Sequence, residues 1–216
     1  VGWLGLCFAL SGTSASLTVS AAALVGQRIA ENPAWATLPL SLNLLGTMSI
    51  GIPASLLMQR IGRRNGFRLG TVVGLFGALL NIYAIQSGSF ILFCLGSYLI
   101  GCLLGFGQLY RFAAIEVTPE EHKARAVSLV LFGGILSGVL GPGIALLTKD
   151  WVEGAPFMGS YQSLIGLYIL IFLLLQLVDL PKPTASEQQP RTRPFWEIIR
   201  QTSWKISVLS SALGYA

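Results

Sequence analysis

Few side chains in this sequence can do chemistry, and most of those are cations. Arg60, Arg63, Arg64 and Arg68 follow one another closely, with Gln59 just before them and Gly62 inside the run. Such a cluster can pair with carboxylates, hold an anion or complement the negative ends of neighbouring helices. A second charged group gathers at Arg111, Glu116 and Arg125. Glu116 can bridge to Arg60, Arg63 or Arg125, and Arg111 can hold an anionic solute or pair with Glu116. The single histidine, His122, stands among loop charges and reads as solvated. Cys7, Cys94 and Cys102 fall in apolar runs without metal-ligand spacing, so they read as packing residues. No metal or cofactor site is expected, and no nucleophile stands beside a base, so an enzyme has little to work with.

The remaining polar groups are neutral. In the first apolar run Ser11, Ser14 and Thr18 form one stripe, and Thr13, Ser16 and Ser20 form nearly the opposite one. Only one of the two can face a cavity. Asn43 and Asn81 are costly to leave in hydrocarbon and should point inward. Tyr98, Gln108 and Arg111 follow in the fourth run. The candidate cavity set is therefore Ser14, Thr18, Asn43, Tyr98, Gln108 and Arg111. No Asp or Glu lies centrally in any apolar run, which is where ion-coupling charges are usually found.

The elements that must position these groups are set by composition. Of 216 residues 53% are hydrophobic and only 11% charged, with a mean hydropathy of +0.69. A soluble domain of this length carries about a quarter charged residues. Stretches such as 90–109 and 154–178 exceed the roughly 18 uncharged residues that mark a membrane span. The runs are continuous rather than alternating, which predicts helices and excludes a barrel. Six spans are expected, at about 3–26, 36–58, 68–87, 90–114, 126–148 and 160–181, with a seventh beginning near Lys205. Twelve of the fourteen Lys and Arg fall on one side of these spans, leaving Arg28 and Lys149 on the other. That bias makes the first side cytoplasmic, the amino terminus included. The net charge of +5 therefore reflects membrane topology, and no nucleic-acid partner is expected.

Residues 1–181 thus read as one six-helix bundle. Residues 182–204, rich in proline and polar side chains, read as a cytoplasmic linker, and 205–216 as the start of a cut seventh helix. The chain opens on Val1 and stops at Ala216 within an apolar stretch, so both ends read as cuts.

Three motifs carry a family resemblance. The segment 55–67, Ser-Leu-Leu-Met-Gln-Arg-Ile-Gly-Arg-Arg-Asn-Gly-Phe, resembles the loop between helices two and three of the major facilitator superfamily, G-x-L-a-D-r-x-G-r-k-x-x-l. Leu57, Arg60, Gly62, Arg63 and Arg64 match, while Ser55 and Gln59 replace its glycine and aspartate. The resemblance assigns Gln59, Arg60, Gly62, Arg63 and Arg64 to a gate on the cytoplasmic side, weakened because Gln59 carries no charge. The segment 116–128 is similar to the family's connection between helices four and five, with Thr118 expected to cap a short helix opened by Pro119. Ser137, Gly141, Pro142 and Ala145 resemble the family's fifth-helix pattern g-x-x-x-G-P-x-x-G, a helix that in the family meets the opposite half and is linked to export. An arginine four residues before a G-x-G step, usual in drug–proton antiporters, is replaced here by Gly101.

The resemblance implies an all-α membrane protein, the amino-terminal half of a facilitator built as a 3+3 inverted repeat and embedded in the bacterial inner membrane. It further implies secondary active transport of a small organic solute by alternating access, with a missing carboxy-terminal six-helix half and the lipid bilayer as partners. The rivals are an efflux pump of the same superfamily and a non-transporting six-helix receptor or assembly protein.

Overall fold

Hydrocarbon offers no water to a backbone amide, so each apolar run has to close its own hydrogen bonds as a helix. The computed structural model describes residues 2–116 and 118–177. Within them run α1 (Gly2–Ile29), α2 (Leu38–Ile61), α3 (Arg63–Ser87), α4 (Phe90–Gly107), α5 (Tyr110–Glu116), α6 (Lys123–Thr148) and α7 (Met158–Leu177), with single 3-10 turns at Pro33–Trp35 and Glu120–His122. Among the described residues six segments are long and apolar enough to cross a membrane: 2–29, 33–61, 63–87, 90–115, 120–148 and 158–177. They coincide with the expected spans to within a few residues. The expected linker 182–204 and seventh helix 205–216 lie outside the described residues.

The fourth span departs from expectation in one respect, because it is not a single helix. Leu109 N–H bonds to Phe106 O and Phe112 N–H to Leu109 O, both three residues back, and this tight turn separates α4 from α5. The turn follows Gly105 and Gly107, which contribute no side chain to hold the α-helical course.

Backbone-to-backbone seams organise the packing. α1 runs beside α6, and α2 beside α4. A methyl added at Gly141 would sit 2.5 Å from Ser16 Cβ, and one at Gly12 would sit 2.5 Å from Ser137 Oγ. In the second seam a methyl at Gly46 would lie 2.3 Å from Tyr98 O, and one at Gly101 2.0 Å from Asn43 O. Small residues at these positions let the helix axes approach where lipid supplies no hydrophobic drive between helices. α3 packs on both α4 and α7, and α7 packs on α1. Exchanging the first three spans with the last three maps α1·α6 onto α4·α2 and α3·α4 onto α7·α1. The unit is thus two three-helix repeats.

Between the seams the core is aromatic. Phe67 stacks on Tyr110 with ring centroids 4.1 Å apart, and Phe93 meets Tyr161 edge-on at 5.6 Å. Outward faces are apolar as well: Met48, Ile91 and Leu147 are each 79% exposed. Apolar surface on this scale is stable in lipid and aggregates in water.

Candidate functional site

The chain turns from α2 into α3 at Gly62, whose φ of 86° and ψ of 152° place it in a region that side-chain-bearing residues avoid. Its N–H bonds back to Met58 O at 2.9 Å while its own carbonyl accepts from Gly66 N–H at 3.0 Å, so one residue ends one helix and starts the next. Gly66 in turn leaves room for Met58, whose Cγ would lie 2.3 Å from an added methyl. Gly62 and Gly66 together therefore build a one-residue corner between the helices.

That corner puts Arg63, Arg64 and Arg68 in the opening turns of α3, the wrong end of their own helix dipole for a cation. The compensation comes from α7. Arg64 Nε donates to Leu175 O at 3.1 Å and its Nη2 donates to Gln176 O, main-chain oxygens on the last described turn of α7. Arg68 Nη2 donates to Gln176 Oε1. Gln59 and Arg60 are exposed on the last turn of α2. Beside the corner, Ser55, Arg63, Leu109, Phe112 and Ile115 line a cavity of about 370 Å³.

Of the second charged group, Arg111 is exposed with its guanidinium carbon 5.1 Å from the centre of the Phe112 ring, and Arg125 is exposed on α6. The side chain of Glu116 lies outside the described residues. Lys123 pairs with Glu120, and His122 is exposed. Thr118 corrects an expectation. It caps nothing ahead of it; its hydroxyl donates back to Ala114 O at 2.6 Å, and Pro119 precedes the 3-10 turn without a side-chain cap. A buried hydroxyl one turn beyond a carbonyl closes that bond more readily than it reaches forward past a proline, which has no N–H.

The cavity candidates divide. Ser14 and Thr18 are fully buried, their hydroxyls donating to Ser11 O and Ser14 O at 2.8 Å, so they line no open face of this unit. Asn43 is buried in the α2·α4 seam, where its Nδ2 donates to Ser97 O at 3.1 Å. Beside it Thr47, which the sequence reading passed over, lies 3.0 Å from Asn43 O and 3.1 Å from Gly101 O. Tyr98 is half-buried, with its hydroxyl 3.0 Å from Ser49 Oγ, and Gln108 is exposed at the break between α4 and α5. Tyr98, Gln108 and Arg111 thus keep accessible surface. Asn81 is buried, as expected, and its amide has no partner among the described residues.

The fifth-span pattern is used within the unit. Gly133 meets Gly5 and Ala9, Ser137 meets Gly12, Gly141 meets Ser16, and Ala145 O accepts from Ser160 of α7 at 3.1 Å. Pro142 has no N–H to give, leaving the carbonyl of Gly138 without its helical donor. The three cysteines are buried and free.

Six lipid-length helices in two three-helix repeats, joined by glycine seams, define an all-helical multi-pass membrane protein. The Major Facilitator Superfamily model matches residues 4–216, and the chain belongs to that superfamily. It is 34% identical over 215 residues to the riboflavin transporter RfnT of Brucella anthropi, a match covering 99% of this chain and 54% of that protein. It is 27% identical over 179 residues to YdeG of Bacillus subtilis, an uncharacterized transporter of the same type, covering 82% of this chain and 41% of the relative. The crystal structure of the Escherichia coli fucose:proton symporter FucP shares the fold, with a TM-score of 0.67 at 21% identity over 97% of this chain and 54% of that one. The chain spans about half the length of the curated relatives it matches. Its family is one of transporters, not enzymes.

Proposed function

We propose that this chain is the amino-terminal six-helix half of a secondary transporter that moves a small organic solute across the bacterial inner membrane by alternating access. The observation that carries this reading is uneven burial in a chain half as long as its relatives. Over an apolar 18-residue window of each, the first and fourth spans are 50% and 67% buried, whereas the second and fifth are 17% and 28% buried. α2 and α6 each lean on a single seam and leave broad faces for a second six-helix half, reached through the linker 182–204.

The cation bias supports a cytoplasmic side that holds the amino terminus, the α2–α3 corner and the linker. The Gln59–Arg64 corner then sits where a cytoplasmic gate would close, with Arg111, Glu116 and Arg125 as its charge network. Tyr98, Gln108 and Arg111, which keep accessible surface, are the solute-facing candidates. Riboflavin, the cargo of a relative 34% identical, is the first solute to try.

The test expresses the full-length gene in a riboflavin auxotroph without its own uptake system and follows labelled riboflavin, with and without a protonophore. Uptake above vector that collapses with the protonophore supports the reading. Reduced accumulation would turn it to efflux. Accumulation equal to vector for riboflavin and a panel of organic solutes would reject transport.

A further inference from the structure

Arg68 of α3 contacts only neutral groups among the described residues. Its Nη2 donates to Gln176 Oε1, its Nη1 lies 3.5 Å from Asn65 Oδ1, and its buried Nε has no partner among the described residues. Both contacts are to neutral amides, and Arg68 forms no ion pair with any described residue. A guanidinium has five N–H donors in a planar fork that suits oxyanions such as phosphate, so this one retains both charge and donor capacity.

One helical turn further along the same two helices lies a groove. Val72 and Leu75 of α3 face Ile169, Phe172 and Leu173 of α7 around an apolar cavity of about 150 Å³. Thr71 also borders it, but the Thr71 hydroxyl is committed to Phe67 O at 2.9 Å. The volume is below the roughly 300 Å³ at which pockets for small solutes begin. A stretch of hydrocarbon chain fits it. Val72, Ile169 and Leu173 are each about half exposed, so the groove opens sideways along its length. Arg68 precedes Val72 by four residues, a rise of about 6 Å along the helix, with the cation toward the end of the span and the groove toward its middle. That order matches a lipid: phosphate at the interface, acyl chain below it.

We propose that α3 and α7 form a phospholipid site, with the phosphate on Arg68 and one acyl chain in the groove between Val72 and Leu173. The neighbouring Arg60, Arg63 and Arg64 favour an anionic headgroup through the same field. The site depends on membrane residence and not on which solute the protein carries. Loss of the transport reading would therefore leave it standing.

The test titrates purified full-length protein in detergent with phosphatidylglycerol and counts bound lipid by native mass spectrometry. Diacylglycerol of the same chains serves as the probe without phosphate. Phosphatidylglycerol is expected to bind more tightly than diacylglycerol. Arg68→Gln is expected to weaken it about fivefold, the effect of one cation at a lipid surface. Val72→Phe, which fills the groove while leaving the cation, is expected to weaken it by a similar factor, and Arg28→Gln at the opposite membrane face to leave it unchanged. Retained binding in both Arg68→Gln and Val72→Phe overturns the proposal, as does an effect of only one of them, since the site needs head and chain together. Should Arg68→Gln fail to fold, Val72→Phe and the diacylglycerol comparison decide, and equal binding of the two lipids overturns it.

Discussion

Arg64 Nε lies 3.1 Å from the main-chain oxygen of Leu175, so the first turn of α3 is tied to the last described turn of α7. A cation at the positive end of its own helix is thereby set against main-chain oxygens of another. Arg64→Gln removes the charge and is expected to destabilise the full-length protein by about 1–2 kcal/mol. Arg64→Lys, which cannot serve two carbonyls in a fixed fork, should fall between. Thermal unfolding in detergent reads the order, and a Gln variant melting with wild type would show that the contact is idle.

The seam between α1 and α6 sorts glycines that look alike in sequence. A side chain at Gly141 meets Ser16 and the backbone of Leu17, whereas one at Gly138 meets nothing within 4 Å. Gly141→Leu should cost about 1–3 kcal/mol or more and lower the folded yield, and Gly138→Leu should be tolerated. Equal yields in fluorescence-detected size exclusion would count against the seam.

Asn43 bonds across the α2·α4 seam rather than toward solvent. Asn43→Leu is expected to lose about 1 kcal/mol of stability, the usual scale for such a bond between membrane helices. The apparent affinity for a transported solute should stay put. A changed KM with unchanged melting would return Asn43 to the cavity.

Buried hydroxyls and accessible polar groups should separate in transport assays of the full-length protein. Ser14→Ala and Thr18→Val alter groups bonded within α1 and are expected to leave solute affinity within twofold, about 0.4 kcal/mol. Gln108→Ala and Arg111→Gln change accessible groups and are expected to lower uptake several-fold. The reverse pattern would move the site into the interior of this half.

Cys7, Cys94 and Cys102 are buried and unbonded. A maleimide should leave all three unlabelled in the native protein and label all three after denaturation in SDS, counted by intact mass. Rapid native labelling at Cys102 would mean that the α2·α4 seam opens.

Hydropathy made the six spans legible because lipid imposes one solution on a long apolar run. The break after Gly107 was not legible, since Phe106 through Leu109 has no charge to interrupt the run. Ser14 and Thr18 were seen as a stripe, but spacing places a stripe on a face without saying what covers that face. The partner of Arg64 was hidden for a different reason: it is a main-chain oxygen more than a hundred residues away, and main-chain groups leave no signature in residue type. The small residues of the fifth span were read as a packing pattern, and their contact with α1 needed coordinates.

The two glycine seams bear on how this half can move. Where Gly141 faces Ser16 and Gly101 faces Asn43 O, no flexible side chain stands between the helices to absorb a slide. A shift by one residue would drive a bulky neighbour into backbone. Each pair therefore behaves as a single stiff beam, and force applied at one membrane face arrives at the other with little lost to internal slack.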